Sequence, residues 1–432
     1  MKVSHFNTFP YGGAATAAGR IHKQLIEAGH ESTFFYHQSD RDAPPAGSYA
    51  PAPWQDDTTP KNVVSQFFSK RRVRNIHRLH DFHLVDKPDQ FELFSMAEQV
   101  ESTKLDFGFE THQVIHLHWL AFMADYASFF ASIPRNCPVV WTLHDMNPMT
   151  GGCHYSDGCK KFQTQCGHCP QVANRGHFDI SRHQFNVKKN ALKNLQLTVV
   201  APSQWIMRLA QSSPVFPSST TFQHIRLGFD LKALTPIPKP KAKIQSGITH
   251  DKVTIGFGAD DVNIRRKGVD LLLSALEQLP DKNRVECIVF GKGDIRSKTR
   301  DLPPIREFGY LQNDNQLAQF YSACDLMIVP SREDNQPQTG LEAMACGTPV
   351  VGFNVGGIGE YIRPGETGWL AQPEDPTDLA IQIQKLIENE EARHVMGRRC
   401  RQMMVQEFDI TKQTQKHIEL YSRLLPLQKR VA

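Results

Sequence analysis

The sequence predicts an α/β protein of two Rossmann-like halves, each a parallel β-sheet with helices on both faces. Three observations carry that prediction. Short apolar, β-branched runs such as residues 139–143, 285–290 and 326–329 alternate with longer helical patterns, as buried parallel strands and their crossover helices do. A strand–loop–helix opening occurs twice, at residue 1 and again at residue 253, which is how each half of such a fold begins. Between the halves, residues 229–250 (FDLKALTPIPKPKAKIQSGITH) are rich in Pro and Lys and lack periodicity, the composition of a linker.

Taken in order, residues 1–6 read as the first strand. Gly12 and Gly13 turn the chain, and a helical pattern covers about 15–28 before Gly29 stops it. Strands follow at 114–118, 139–143 and 197–201, the last leading through Pro202-Ser203 into a helix start. The second half repeats the alternation: strand 253–258, helix 269–279, strand 285–290, helix 315–323, strand 326–329. Helix 410–425 ends the pattern. The expected domains are 1–228, a linker over 229–250, a second lobe over 251–408 and a C-terminal helix within 409–432. In such sheets ligands bind outside the carboxyl ends of the strands, which places the expected site in a cleft between the lobes.

Composition excludes several classes. The 432 residues carry 49 Lys and Arg against 45 Asp and Glu, so there is no bulk basic charge for nucleic acid. No apolar run approaches the roughly 20 residues of a spanning helix, and the N-terminus lacks the basic-then-apolar layout of a signal peptide. The reading is a cytoplasmic protein. Nine cysteines, several inside apolar runs (Cys287, Cys346), fit reduced thiols better than a disulfide framework.

The densest signal lies in residues 328–360 (IVPSREDNQPQTGLEAMACGTPVVGFNVGGIGE). An apolar run ends at Pro330-Ser331, a polar loop follows, a short helix runs through Gly340, Leu341 and Glu342, and Gly347 and Pro349 stop it before the next strand. Asp334 in the loop and Glu342 in the helix's first turn stand eight positions apart. A helix N-terminus offers N–H groups and positive potential to an anion, and carboxylates beside it can grip hydroxyls. Phosphate and hydroxyls together describe a nucleotide sugar.

The pattern acid-x7-Glu followed by Ala-Met-Ala-Cys-Gly-Thr-Pro-Val-Val resembles the donor site of retaining glycosyltransferases of the GT-B fold, the group 1 or family 4 class. The Glu-Asp-Asn-x-Pro-x-Thr variant resembles a branch acting in bacterial exopolysaccharide and O-antigen assembly. The family usually has Glu where spacing puts Asp334, and Glu333 stands just before it; spacing favours Asp334. The resemblance implies that 251–408 binds the nucleotide-sugar donor, that 1–228 faces the acceptor, and that the last helix packs back on the first lobe. It assigns Lys267, before Gly268, to the diphosphate. The usual partner arginine is replaced by Ala259, so Arg265 or Arg266 is expected to supply that charge. Gly12 and Gly13 would lie over the donor phosphate and acceptor, Gly340 in the helix N-terminus, Glu342 on the ribose and Asp334 on sugar hydroxyls. His144, ending the strand Trp141-Thr142-Leu143-His144-Asp145, would hydrogen-bond sugar hydroxyl or phosphate, with Asp145 orienting it or meeting the acceptor. Gly291-Lys292-Gly293 and residues 311–317 would lie near the base. No Asp-x-Asp motif is evident and no catalytic metal is expected. Retention through same-face substitution would use the leaving phosphate as base, so no nucleophile is named.

Two further features stand outside that pattern. The loop 151–170 holds Cys153, Cys159, Cys166 and Cys169, spaced C-x5-C-x6-C-x2-C, which suits a structural zinc site and leaves free thiols or disulfides open. Residues 61–80 carry Lys61, Lys70, Arg71, Arg72, Arg74 and Arg78 without an acid; such a segment meets anionic lipid at the inner membrane face, forms a solvated helix face, or lines a pocket for an anionic acceptor. Residues 40–60 read as a flexible loop. His116 and His118 share a strand face and are expected to be packed rather than metal-bound. The function these features imply is transfer of a sugar from a nucleotide-diphosphate donor to a glycan or lipid-linked saccharide in cell-surface polysaccharide biosynthesis. The alternatives are a nucleotide-sugar epimerase or phosphorylase on the same fold, or a non-catalytic nucleotide-sugar or glycan binder.

Overall fold

The computed structural model describes residues 1–37, 48–54, 63–106, 113–248, 251–293, 295, 301–311 and 313–425, with backbone alone over 63–69. Lys61, the side chains of Phe67 and Phe68, most of the expected loop 40–60, and Gln312 therefore lie outside the described residues.

The chain forms two compact units, Met1–Ile225 joined by the chain from Thr414, and Arg226–Gln413. The first unit contains β1 (Lys2–Phe6), α1 (Gly13–Glu27), β2 (Glu31–Tyr36), β3 (Tyr49–Pro51), α2 (Val63–Leu84), β4 (Gln113–Leu117), α3 (Tyr126–Ser132), β5 (Val139–Thr142), α4 (Ile180–Leu192), β6 (Leu197–Ala201), α5 (Gln204–Ser212) and β7 (Thr221–His224). Its sheet runs in the order β3-β2-β1-β4-β5-β6-β7, and every paired neighbour is parallel. Strands buried on both faces explain why the sequence gives continuous rather than alternating apolar runs: β4, β5 and β6 are buried at every position. Phe6, Leu117, Phe129 and Trp141 centre this core, each side chain contributing about 2 kcal/mol by leaving water.

The second unit holds α6 (Lys239–Gln245), β8 (Val253–Asp261), α7 (Val269–Glu277), β9 (Val285–Lys292), β10 (Ile305–Glu307), α8 (Asp314–Ala323), β11 (Leu326–Val329), α9 (Gln338–Ala345), β12 (Val350–Phe353), β13 (Gly368–Ala371), α10 (Pro376–Glu388) and α11 (Glu390–Glu407). Its parallel sheet has the order β10-β9-β8-β11-β12-β13. Leu272, Val289, Leu326, Phe353 and Leu379 fill its core.

Residues 229–248 do not behave as a free linker. They belong to the second unit and include α6, whose Lys243 is buried and donates to Asp325 at 2.7 Å and to the Lys252 carbonyl at 2.9 Å. A Lys-rich composition reads as solvated, but a paired lysine can be buried. The last helix, α12 (Ile410–Leu424), enters the first unit from Thr414. There the buried Tyr421 Oη lies 2.7 Å from His116 Nδ1. Among the described residues no helix is long and apolar enough to cross a membrane.

Candidate functional site

In the second unit the candidate residues meet beyond the carboxyl ends of β8 and β11. After β8 the chain makes one tight turn at Arg265–Lys267 and reaches Gly268. Gly268 has φ +70°, and a Cβ there would stand 1.9 Å from the Pro330 carbonyl oxygen. Only glycine both adopts that conformation and admits that approach. The turn is thereby pressed against the end of β11, and the Arg332 N–H donates to the Arg266 carbonyl at 2.8 Å.

That contact sets three charges together. Lys267 Nζ lies 2.7 Å and Arg266 Nη1 2.9 Å from Asp334 Oδ2, and Arg266 also donates to the Glu333 carbonyl at 3.0 Å. Burial of Asp334 favours its protonated form, but Lys267 and Arg266 outweigh it and hold the carboxyl at about 2. Asp334 is buried and Glu333 only half-buried. Gly356, at φ +57°, lies against the backbone of Asp334 and would place a Cβ 2.0 Å from its carbonyl oxygen. The Gly357 N–H donates to that oxygen at 3.0 Å. Arg332, its side chain largely buried, forms a separate cluster with the exposed Asp270 and Glu374 at 2.6 and 2.8 Å.

Helix α9 starts at Gln338 after Pro337, with no side-chain cap. Glu342 is therefore its fifth residue, one turn deeper than the sequence expectation of the first turn. It is buried, and Tyr321 Oη donates to its Oε2 at 2.9 Å. Gly340 packs against Tyr361, whose hydroxyl would meet a Cβ at 2.5 Å. That Tyr361 hydroxyl is buried without a hydrogen-bond partner, an uncommon state for a native polar group and one a ligand hydroxyl or phosphate would relieve. Sequence reasoning missed both tyrosines, since nothing in their local sequence marks either as a site residue.

Ala259 is buried at the bulged end of β8. Gly291, at φ +130°, would put a Cβ 2.0 Å from the Ala259 carbonyl, so Gly291-Lys292 is the close-packed end of β9 rather than a plain turn.

In the first unit, Gly12 caps α1 with φ +88°, and a Cβ added there would meet no atom within 4 Å. Glycine at this position answers a dihedral requirement on an open side, and Gly13 is the first residue of the helix. His144 Nε2 lies 3.1 Å from His118 Nδ1, and His118 Nε2 lies 3.0 Å from His5 Nδ1. Burial pulls His144 down to about 4 and His5 and His118 well below their usual value, so these rings are neutral at pH 7. His116 spans Thr142 Oγ1 at 2.8 Å and Tyr421. Donor atoms of His5, His116 and His118 lie within 4.8 Å of one another; hydrogen bonds engage both ring nitrogens of His116 and His118 and Nδ1 of His5, while His5 Nε2 is buried without a partner. Asp145 accepts from Trp119 Nε1 at 2.7 Å and the Asn147 N–H at 2.9 Å, and lies 2.6 Å from His154 Nδ1. Its firmest partners are thus His154 and Trp119, which sequence reasoning did not place beside it, while His144 pairs with His118.

Residues 243–403 match the family model described as Glycosyl transferases group 1. The chain carries a glycosyl transferases group 1 domain. This domain spans Lys267, Asp334 and Glu342. A putative colanic acid biosynthesis glycosyl transferase, WcaC of Escherichia coli K12, is 24% identical over 89% of this chain and 90% of its own length. An uncharacterized glycosyltransferase of Methanocaldococcus jannaschii is 30% identical over 31% of this chain, which spans only 38% of that relative. Among solved structures, HepE of Anabaena in complex with UDP-glucose superposes with a TM-score of 0.65 at 18% identity, covering 98% of this chain and all of HepE. Two all-parallel α/β units and this likeness define the GT-B fold.

Proposed function

We propose that the protein is a retaining glycosyltransferase that moves a sugar from a nucleotide-diphosphate donor to a glycan or lipid-linked saccharide in cell-surface polysaccharide biosynthesis. The observation that carries this reading is the largely buried Lys267–Asp334–Arg266 cluster one helix start away from Glu342, inside a group 1 domain. The similarity to WcaC over nearly the whole chain supports the polysaccharide setting, and the likeness to HepE supports a nucleotide-sugar donor.

Lys267 and Arg266 would meet the diphosphate. Held in place by Asp334 before the donor arrives, they stabilise charge on the leaving group without reorganising, the kind of help worth several kcal/mol in the transition state. Asp334 would then face sugar hydroxyls, and Glu342, anchored by Tyr321, the ribose. His144, neutral and tied to His118, would hydrogen-bond the sugar or phosphate. The leaving phosphate would take the acceptor proton, with no catalytic metal. Residues 61–80 are the proposed contact with anionic lipid at the inner membrane face: Arg71, Arg74 and Arg78 are exposed on α2, whereas Arg72 is engaged by Asp125.

The test is product analysis. Purified protein incubated with a nucleotide-sugar panel and a lipid-linked or oligosaccharide acceptor is expected to form a new glycosidic bond with the donor's anomeric configuration. Donor isomerised without acceptor would indicate an epimerase, and turnover requiring inorganic phosphate a phosphorylase. Binding without turnover under every acceptor would indicate a binding protein.

A further inference from the structure

Between β5 and α4 the chain runs through residues 143–179 with only two one-turn helices, Asn147–Met149 and Lys161–Gln163. A connection of that length inside a compact unit is uncommon unless something other than a strand or helix organises it. It turns through left-handed positions at Gly152, Asp157, Gly158, Gly167 and His168, and the two non-glycine residues are held there against their own preference.

Cys153, Cys159, Cys166 and Cys169 all line one cavity of about 20 Å³ within this loop. That is about the room one water or a single ion occupies. All four are free thiols. Burial raises the thiols of Cys166 and Cys169, and the backbone N–H groups of Gly151 and Gln171 directed at their sulfurs offset only part of that, so a metal displaces the protons as it binds. Charge is also matched. Lys188 is fully buried, donates to the Asn147 carbonyl at 2.5 Å and to its Oδ1 at 3.1 Å, and lies within electrostatic reach of Cys153 and Cys166. Lys161 Nζ sits on the Cys166–Cys169 turn, donating to the Gly167 and His168 carbonyls at 3.1 and 2.9 Å. Four thiolates around a divalent ion leave two negative charges, and two lysines stand beside them.

We infer that Cys153, Cys159, Cys166 and Cys169 bind one structural zinc ion that fastens the loop following His144. A closed tetrahedral set of four sulfurs is the structural form of a zinc site, and soft thiolates select such a metal over magnesium or calcium. No three of these sulfurs lie within 4.8 Å of one another among the described residues, so the ion draws the loop inward as it binds. This zinc site stands independently of the donor reading.

Metal analysis of the full chain, purified without chelator, tests it directly. About one zinc per chain is expected, falling to well below half in Cys166→Ser and Cys169→Ser. Cobalt exchanged into the wild-type protein is expected to give sulfur-to-cobalt charge-transfer absorption, and this arm decides the matter even where the serine variants fail to fold. Wild-type protein without zinc, cysteines found paired as disulfides under non-reducing conditions, or a cobalt spectrum without thiolate bands would each overturn it; the last would point to His5, His116 and His118.

Discussion

Asp334 is held by two cations at 2.7 and 2.9 Å, and a single substitution exposes what that means. Asp334→Asn leaves Lys267 and Arg266 facing each other, both mostly buried. Removing one partner of a buried charge group costs on the order of 3 kcal/mol, so chemical denaturation should show a loss of that size. A bound nucleotide diphosphate replaces the lost anion, so it should raise the melting temperature of this variant more than that of the wild type. Equal shifts would contradict a diphosphate at Lys267 and Arg266. Glu342→Ala removes a charged acceptor, an interaction typically worth about 2 kcal/mol; donor affinity measured by calorimetry should fall by roughly 30-fold. Unchanged affinity would separate Glu342 from the donor.

At the scale of elements, the turn before α7 depends on Gly268. Gly268→Ala meets both a positive φ and the Pro330 carbonyl at 1.9 Å, so it should destabilise by more than about 1 kcal/mol and shift Lys267 away from Asp334, lowering turnover. Activity and stability equal to wild type would show that the turn is not so constrained. Much of this element was legible in the sequence. The strand–loop–helix at 326–345 follows from local signals of period and punctuation, whereas the significance of the Lys267-Gly268 pair and of the Asp334–Glu342 spacing comes from the family resemblance. What stayed hidden depends on long-range packing. Nothing local to Tyr321 or Tyr361 distinguishes a site hydroxyl from a core ring, and nothing at Asp145 announces His154 and Trp119. Residues 229–248 misled for the same reason, because Lys243 finds Asp325 only in the folded second unit.

At the scale of the whole chain, the first unit carries an unusual set of neutral histidines. Burial pulls His22 and His144 down to about 4 and His5, His116 and His118 well below 6.5. The unfolded chain binds these protons near pH 6.5 and the folded chain does not, so unfolding is favoured as pH falls from about 6.5 toward 4. Melting temperature should decline through that window and stay level from pH 7 to 8; a flat profile down to pH 5 would show that the rings charge in place. The two-unit division itself follows from the repeated alternation of strand and helix, whereas the passage of α12 into the first unit is fixed by Tyr421 and its bond to His116, a contact 305 residues apart in sequence.

The most direct measurement is a thermal-shift screen of the wild-type protein and Glu342→Ala against UDP-, GDP-, ADP- and dTDP-sugars. A ligand at 100 times its dissociation constant stabilises by about 2.7 kcal/mol. One nucleotide class should therefore raise the wild-type melting temperature by several degrees, and that of Glu342→Ala, with its roughly 30-fold weaker affinity, by only about a third as much. Equal shifts in both proteins, or none with any donor, would contradict a nucleotide-sugar site built on Lys267, Asp334 and Glu342.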